Sequence, residues 1–165
     1  MKDTAELFAS VDALKARLDA HRPLPADIVS QIRQDMRIRF TYHSNAIEGN
    51  TLTMSETKAV LEDGITIGGK SLREHLEAVG HSQAIDYLEV LAQGDAALTE
   101  RTLKDFHSLI LRNIDGANAG TYRRVNVLIS GAGHIPPQAE SVPEKMEAFF
   151  RWYGAARGRL HPVEF

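Results

Sequence analysis

The chain has 165 residues, 43% of them hydrophobic and 25% charged, with a formal net charge of −3 and no cysteine. That length suits one domain burying roughly 68–70% of its unfolded surface, while the lack of thiols excludes disulfides and thiolate metal sites and fits a cytoplasmic setting. The acidic balance argues against a nucleic-acid partner: Arg33, Arg37 and Arg39, like Arg151, Arg157 and Arg159, stand near acids without interleaved aromatics, as solvated or partner-facing surfaces do.

The first residues, "MKDTAELFASVDAL", place Asp3, Glu6 and Asp12 where an export signal would be basic and then apolar, and no apolar run reaches 18 residues; no membrane partner is expected. Leu7, Val11, Leu14 and Leu18 recur at the helical period, which predicts an amphipathic helix over about residues 4–20. Pro23 breaks it, and Pro25 opens a second helix whose stripe of Ile28, Ile32, Met36, Phe40 and Ile47 runs to a left-handed stop at Gly49.

Ser or Thr followed three residues later by Glu marks three capping boxes, Thr53 with Glu56, Ser71 with Glu74 and Ser141 with Glu144, and so three helix starts. The first helix ends at Gly64. The second carries Leu72, Leu76, Val79, Gly80, Ala84, Tyr87 and Leu91 on one broad face. A helix from Thr99 to about Asn113 is expected to bury Leu103, Phe106, Ile110 and Ile114. Between Gly120 and Pro137 the period changes to alternating β-branched residues around Asn126 with a "SGAG" tip, the pattern of a β-hairpin. Alone among helices, it must lean on them or clamp something. The last full helix is predicted from Val142 to Tyr153, and "HPVEF" reads as the start of another.

No phosphate-binding glycine loop, dinucleotide fingerprint, zinc-protease pair or nucleophile elbow occurs. The seven histidines are scattered, so no metal site is expected. The strongest local signal is "HSNAIEGNTLT": Ser44 and Glu48 share a helix face at i,i+4. A glutamate at a helix C-terminus sits at the wrong end of the macrodipole, which costs up to about 1 kcal/mol unless a cation offsets it.

These segments together resemble the Fic (filamentation induced by cAMP) domain family, whose members are typically AMP transferases. "SNAIEGN" is similar to that family's inhibitory motif, "GTYRRVNVLISGAGHIPP" to its substrate-binding flap, "VPEKMEAFFRWY" to the helix after the flap, and "LHPVEF" to the lead-in of the helix before the active site. The likeness spans about residues 30–165. The family's signature, HPFxxGNGRxxR, is absent, and His161 is read as a helix-start residue rather than a catalytic base. The expected fold is therefore all-α in the main: a Fic-like bundle with one hairpin flap, residues 1–50 forming the inhibitory helices, residues 51–165 the N-terminal part of the core, and the remaining core helices missing.

The resemblance implies a protein adenylyltransferase moving AMP from ATP to Ser, Thr or Tyr hydroxyls of a target protein, with removal of AMP as a second direction. Glu48 would occupy a signature arginine that otherwise holds the ATP γ-phosphate, Ser44 would fix its helix, and Gly49 and Asn50 would turn the chain away from the nucleotide. Val125, Asn126, Val127, Leu128, Ile129, His134, Ile135 and Pro136 would dock the target. ATP and Mg²⁺ are implied cofactors, with neither expected to bind this chain tightly, and no catalytic residue falls within it. A non-catalytic helical remnant or protein-interaction module is the alternative, and apolar faces left open by missing core helices would favour a homodimer.

Overall fold

In a computed structural model, which describes residues 3–94 and 97–165, the chain forms six α-helices and one 3-10 turn. They are α1 Thr4–Asp19, α2 Ala26–Ile47, α3 Met54–Glu62, α4 Leu72–Ala92, α5 Glu100–Leu111 and α6 Val142–Ala156, the last preceded by the 3-10 turn Ala139–Ser141. No β-strand occurs among the described residues. The predominantly helical class is as expected.

Local chemistry sets the helix starts. Thr53 and Ser71 each accept the N3 amide, while Glu56 and Glu74 reach back to the cap amide, so both capping boxes are complete. The third is not formed. Ser141 has helical dihedrals and lies inside the 3-10 turn, where its hydroxyl donates to the Gln138 carbonyl at 2.9 Å instead of capping α6. The expected helix at "HPVEF" is a single turn, closed by Glu164 and Phe165 amides donating to the His161 carbonyl at 2.8 and 3.0 Å.

α4 is the central helix, packed by α2, α3 and α5. Its buried positions are small or polar (His75, Ala78, Gly80, Ser82 and Ala84), which lets three neighbours approach closely. At Gly80 the approach is backbone to backbone: a Cβ there would lie 2.9 Å from the Ile110 carbonyl oxygen. Leu52, Val60 and Ala78 form the tightest apolar cluster, with Ile67 and Val79 against it, directly behind the segment that leaves α2. His75 fixes the 64–70 loop over this cluster, its Nδ1–H donating to the Ser71 carbonyl at 2.7 Å and its Nε2 accepting the Ile67 amide at 2.8 Å.

The stripes expected to form the core on the first two helices lie open instead. α2 packs through Ile38 and Thr41, its two buried residues, whereas Ile28, Ile32, Met36, Phe40 and Ile47 are 41–83% exposed. The buried face is the narrower one, which meets both α3 and α4, with the Thr41 hydroxyl 3.2 Å from His81 Nδ1. Leu7, Val11, Leu14 and Leu18 of α1 are likewise exposed. α1 is anchored through its flank, where Phe8 stacks on His161 at 4.1 Å and Asp12 accepts from His161 Nε2 at 3.2 Å. Leu103, Phe106, Ile110 and Ile114 of the α5 region are half-buried.

Candidate functional site

α2 ends as its sequence dictates. Glu48 is the C-cap, Gly49 follows with φ +94°, and the Gly49 and Asn50 amides donate to the Ala46 and Asn45 carbonyls at 3.1 and 3.0 Å, the two bonds of a Schellman motif. The motif satisfies the last carbonyls and turns the chain sharply, leaving Glu48 exposed at its apex. Among the described residues no cation lies within ion-pair distance of Glu48, and neither its carboxylate nor the half-buried Ser44 hydroxyl has a hydrogen-bond partner. The positive group that a carboxylate at this end of the dipole calls for is not supplied by these residues.

Asn50 and Thr51 fasten the turn to α4. Asn50 Nδ2 donates to the Glu74 carbonyl at 3.0 Å and to Glu77 Oε2 at 3.1 Å, and its Oδ1 accepts the Leu52 amide. Thr51 donates its hydroxyl and its amide to Glu74 Oε1 at 2.6 and 2.9 Å, while Glu74 Oε2 holds the Ser71 cap. The Thr51 hydroxyl first, then the Ser71 and Thr51 amides, lower the Glu74 carboxyl from 4.5 to about 2, because each bond favours the ionised form. Lys70 closes the group by donating to the Thr51 carbonyl and hydroxyl. The capping box was visible in the sequence; its second duty of holding Thr51 was not, since the partner is 23 residues away.

The second predicted element differs from expectation. Residues 121–138 form no paired strands. The tip is a turn in which the Ala132 amide donates to the Ile129 carbonyl at 3.2 Å, with Gly131 at φ +76° and no non-glycine residue at positive φ, as in a type II turn. Such a turn splays its arms rather than matching strand twist, and Pro136 and Pro137 remove two amide donors from the returning arm. Side chains replace the ladder. The Arg123 guanidinium donates to the Val125 carbonyl at 2.9 Å and to the Pro137 carbonyl, and Asn126 Oδ1 accepts the Ala139 amide at 2.8 Å. Val125, Val127, Leu128, Ile129 and Ile135 are 42–83% exposed, and His134 and Pro136 lie on the same arm. Arg123 was not singled out from sequence, because nothing local marks a guanidinium that bridges two arms.

A cleft of about 670 Å³ opens between α5, residues 118–125 and the start of α6. His161 is committed elsewhere: its Nδ1 accepts the Val163 amide at 3.2 Å and its Nε2–H points at Asp12, so it caps a turn, as anticipated. Among the described residues no three acids or histidines cluster as metal ligands. With no phosphate-binding loop in the sequence, no residue here is assigned to Mg²⁺ or to phosphates.

Residues 97–165 match the Fic/DOC family model. The chain is 33% identical over 159 residues to "Protein adenylyltransferase Fic" of Nematostella vectensis and 31% identical over 160 residues to the protein of that name in Drosophila willistoni. Its fold is similar to a Fic-domain-containing signalling protein of Bacteroides thetaiotaomicron, with a TM-score of 0.85 and 28% identity over 93% of this chain and 60% of that one. Over residues 97–165 the chain is similar to the Fic/DOC family. Fic-1 (aa134–508) of C. elegans is also similar, with a TM-score of 0.81 and 27% identity over 97% of this chain and 46% of that one. The chain spans 37% and 31% of the lengths of the Nematostella and Drosophila relatives, and no helix among its described residues is long and apolar enough to cross a membrane.

Proposed function

We propose that this chain is the regulatory and target-docking portion of a protein adenylyltransferase, with Glu48 as an intramolecular brake and residues 125–136 as the arm on which a target protein docks. The observation that carries the reading is the apex of the α2 Schellman turn. It presents a carboxylate that has no cation of its own, on a backbone pinned to α4 by Asn50 and Thr51. A carboxylate held in that way is preorganised for a guanidinium fork, the partner that competes directly with a nucleotide phosphate.

The relatives' names support AMP transfer as the activity, and ATP with a divalent metal as its cofactors. When bound, ATP supplies the AMP group and the metal neutralises its phosphates. The residues of this chain do two things toward that chemistry: Glu48 withholds the guanidinium, and the exposed arm offers unpaired main chain to which an extended target segment adds as a strand. Ser44, one turn before Glu48, supports the same helix end.

The test is AMP transfer from ATP to protein, measured for the gene product carrying these residues. Glu48→Gly is expected to raise it and to tighten ATP binding. The isolated 165-residue chain, which has no HPFxxGNGR sequence, is expected to label nothing; labelling by that chain above a buffer blank contradicts the assignment of chemistry outside it.

A further inference from the structure

We propose that the cleft beside the 121–137 arm takes an acidic side chain of an extended peptide, so that the segment docked on the arm carries Asp or Glu next to the residues that pair with it. The proposal rests on the reading of this arm as a docking element and names the chemistry of what docks.

The cleft walls carry Lys104, His107, Arg123 and Arg124 over an apolar floor that includes Leu103 and Val125, and no acid lines it. From Gly116 to Ala139 the chain has Arg123, Arg124 and His134 and not one Asp or Glu, within a protein of net charge −3. The nearby acids are already engaged: Glu100 holds Lys104 at 2.6 Å and Asp115 holds Asn118 at 2.8 Å. Arg123 spends its N–H groups on the Val125 and Pro137 carbonyls, which fix its position without cancelling its charge. Arg124 is exposed and, among the described residues, makes neither a hydrogen bond nor an ion pair. A fixed cation and a free one therefore stand side by side at the root of an arm whose main chain carries no ladder bonds.

An extended peptide fits both features at once. Its backbone takes register from the arm, its alternate apolar residues meet Val125, Val127 and Ile129, and a carboxylate placed beyond them reaches the cations. Opposite charges across such a contact set specificity and encounter rate and weaken with salt. The apolar floor favours a peptide over a polyphosphate, which would leave that surface uncovered.

The experiment is fluorescence anisotropy of two fluorescein-labelled dodecapeptides of alternating Val and Thr, one ending in two Glu and the other in two Gln, titrated with the whole 165-residue chain. At low salt the Glu peptide is expected to bind about tenfold more tightly, and in about 0.5 M NaCl the gap should shrink to about threefold or less. Arg124→Glu is expected to abolish the preference while leaving the circular dichroism spectrum unchanged, since that side chain is exposed and unbonded. Equal binding of the two peptides, no binding of either, a preference indifferent to Arg124→Glu, or displacement of the Glu peptide by ATP would each overturn the proposal. No nucleotide takes part in the direct titration, so its outcome stands whether or not Glu48 acts as a brake.

Discussion

Replacing Gly80 with alanine sets two effects of opposite sign against each other. Alanine is favoured over glycine in a helix interior by about 1 kcal/mol, which would make the change stabilising in an open helix. At this position the added Cβ would lie 2.9 Å from the Ile110 carbonyl oxygen, 3.0 Å from that of Leu109 and 3.2 Å from the Ile110 Cα. All three are backbone atoms of α5, so no rotamer change relieves the contact. To reach an ordinary 3.4 Å separation, α5 must move by about half an ångström away from the central helix, and overpacking of that kind costs about 1–3 kcal/mol. The net expectation is a loss of up to about 2 kcal/mol, or a melting temperature lower by up to about 8 °C for a chain of this size. Gly154 is the control: it lies in α6, where a Cβ would meet nothing within 4 Å, and Gly154→Ala should stabilise by up to about 1 kcal/mol. Thermal and urea denaturation of the two variants beside the parent settle the matter. Gly80→Ala matching or exceeding Gly154→Ala in stability would refute close α4–α5 packing.

Three further outcomes are expected. Glu74 has a folded-state pKa of about 2 against 4.5 unperturbed; a depressed carboxylate contributes stability that is complete above about pH 4.5 and is lost as the pH falls toward 2. Between pH 5.5 and 3 the urea midpoint of the parent should therefore fall further than that of Glu74→Gln, and parallel curves would contradict the Thr51 and Ser71 bonds. His75→Ala removes the acceptor of the half-buried Ile67 amide and should cost about 1–2 kcal/mol by urea titration, with faster hydrogen exchange confined at first to residues 64–70. Gly49→Ala forces a Cβ into left-handed backbone at φ +94° and should cost about 1–2 kcal/mol; stability equal to the parent would contradict the Schellman turn.

Legibility followed the range of the interaction. The Gly49 stop and the caps at Thr53 and Ser71 involve partners within five residues, and all of them could be read directly. Ser141 could not, because the incoming 3-10 turn gives it helical dihedrals in place of the extended ones an N-cap needs. On α2 the longer apolar stripe is the stronger periodic signal, yet Ile38 and Thr41 are the buried residues; which face is buried depends on α3 and α4, which pack against it, and α2 alone does not mark it. Alternation around Asn126 suggested paired strands, but pairing also requires a turn of the right twist and free amides, and the Gly131 turn with two prolines provides neither. The left-handed stop after Glu48 is marked by Gly49 itself, whereas the strap from Thr51 to Glu74 and the Arg123 bridge between the arms span 23 and 14 residues and carry no local mark.

The most direct measurement is the effect of Glu48→Gly on ATP affinity and AMP transfer in the gene product that contains this chain. On the proposed role of Glu48 as a brake, its removal should tighten ATP binding about tenfold or more and raise AMP transfer with it. Affinity and transfer that stay level or fall would contradict the assignment of Glu48 as the brake.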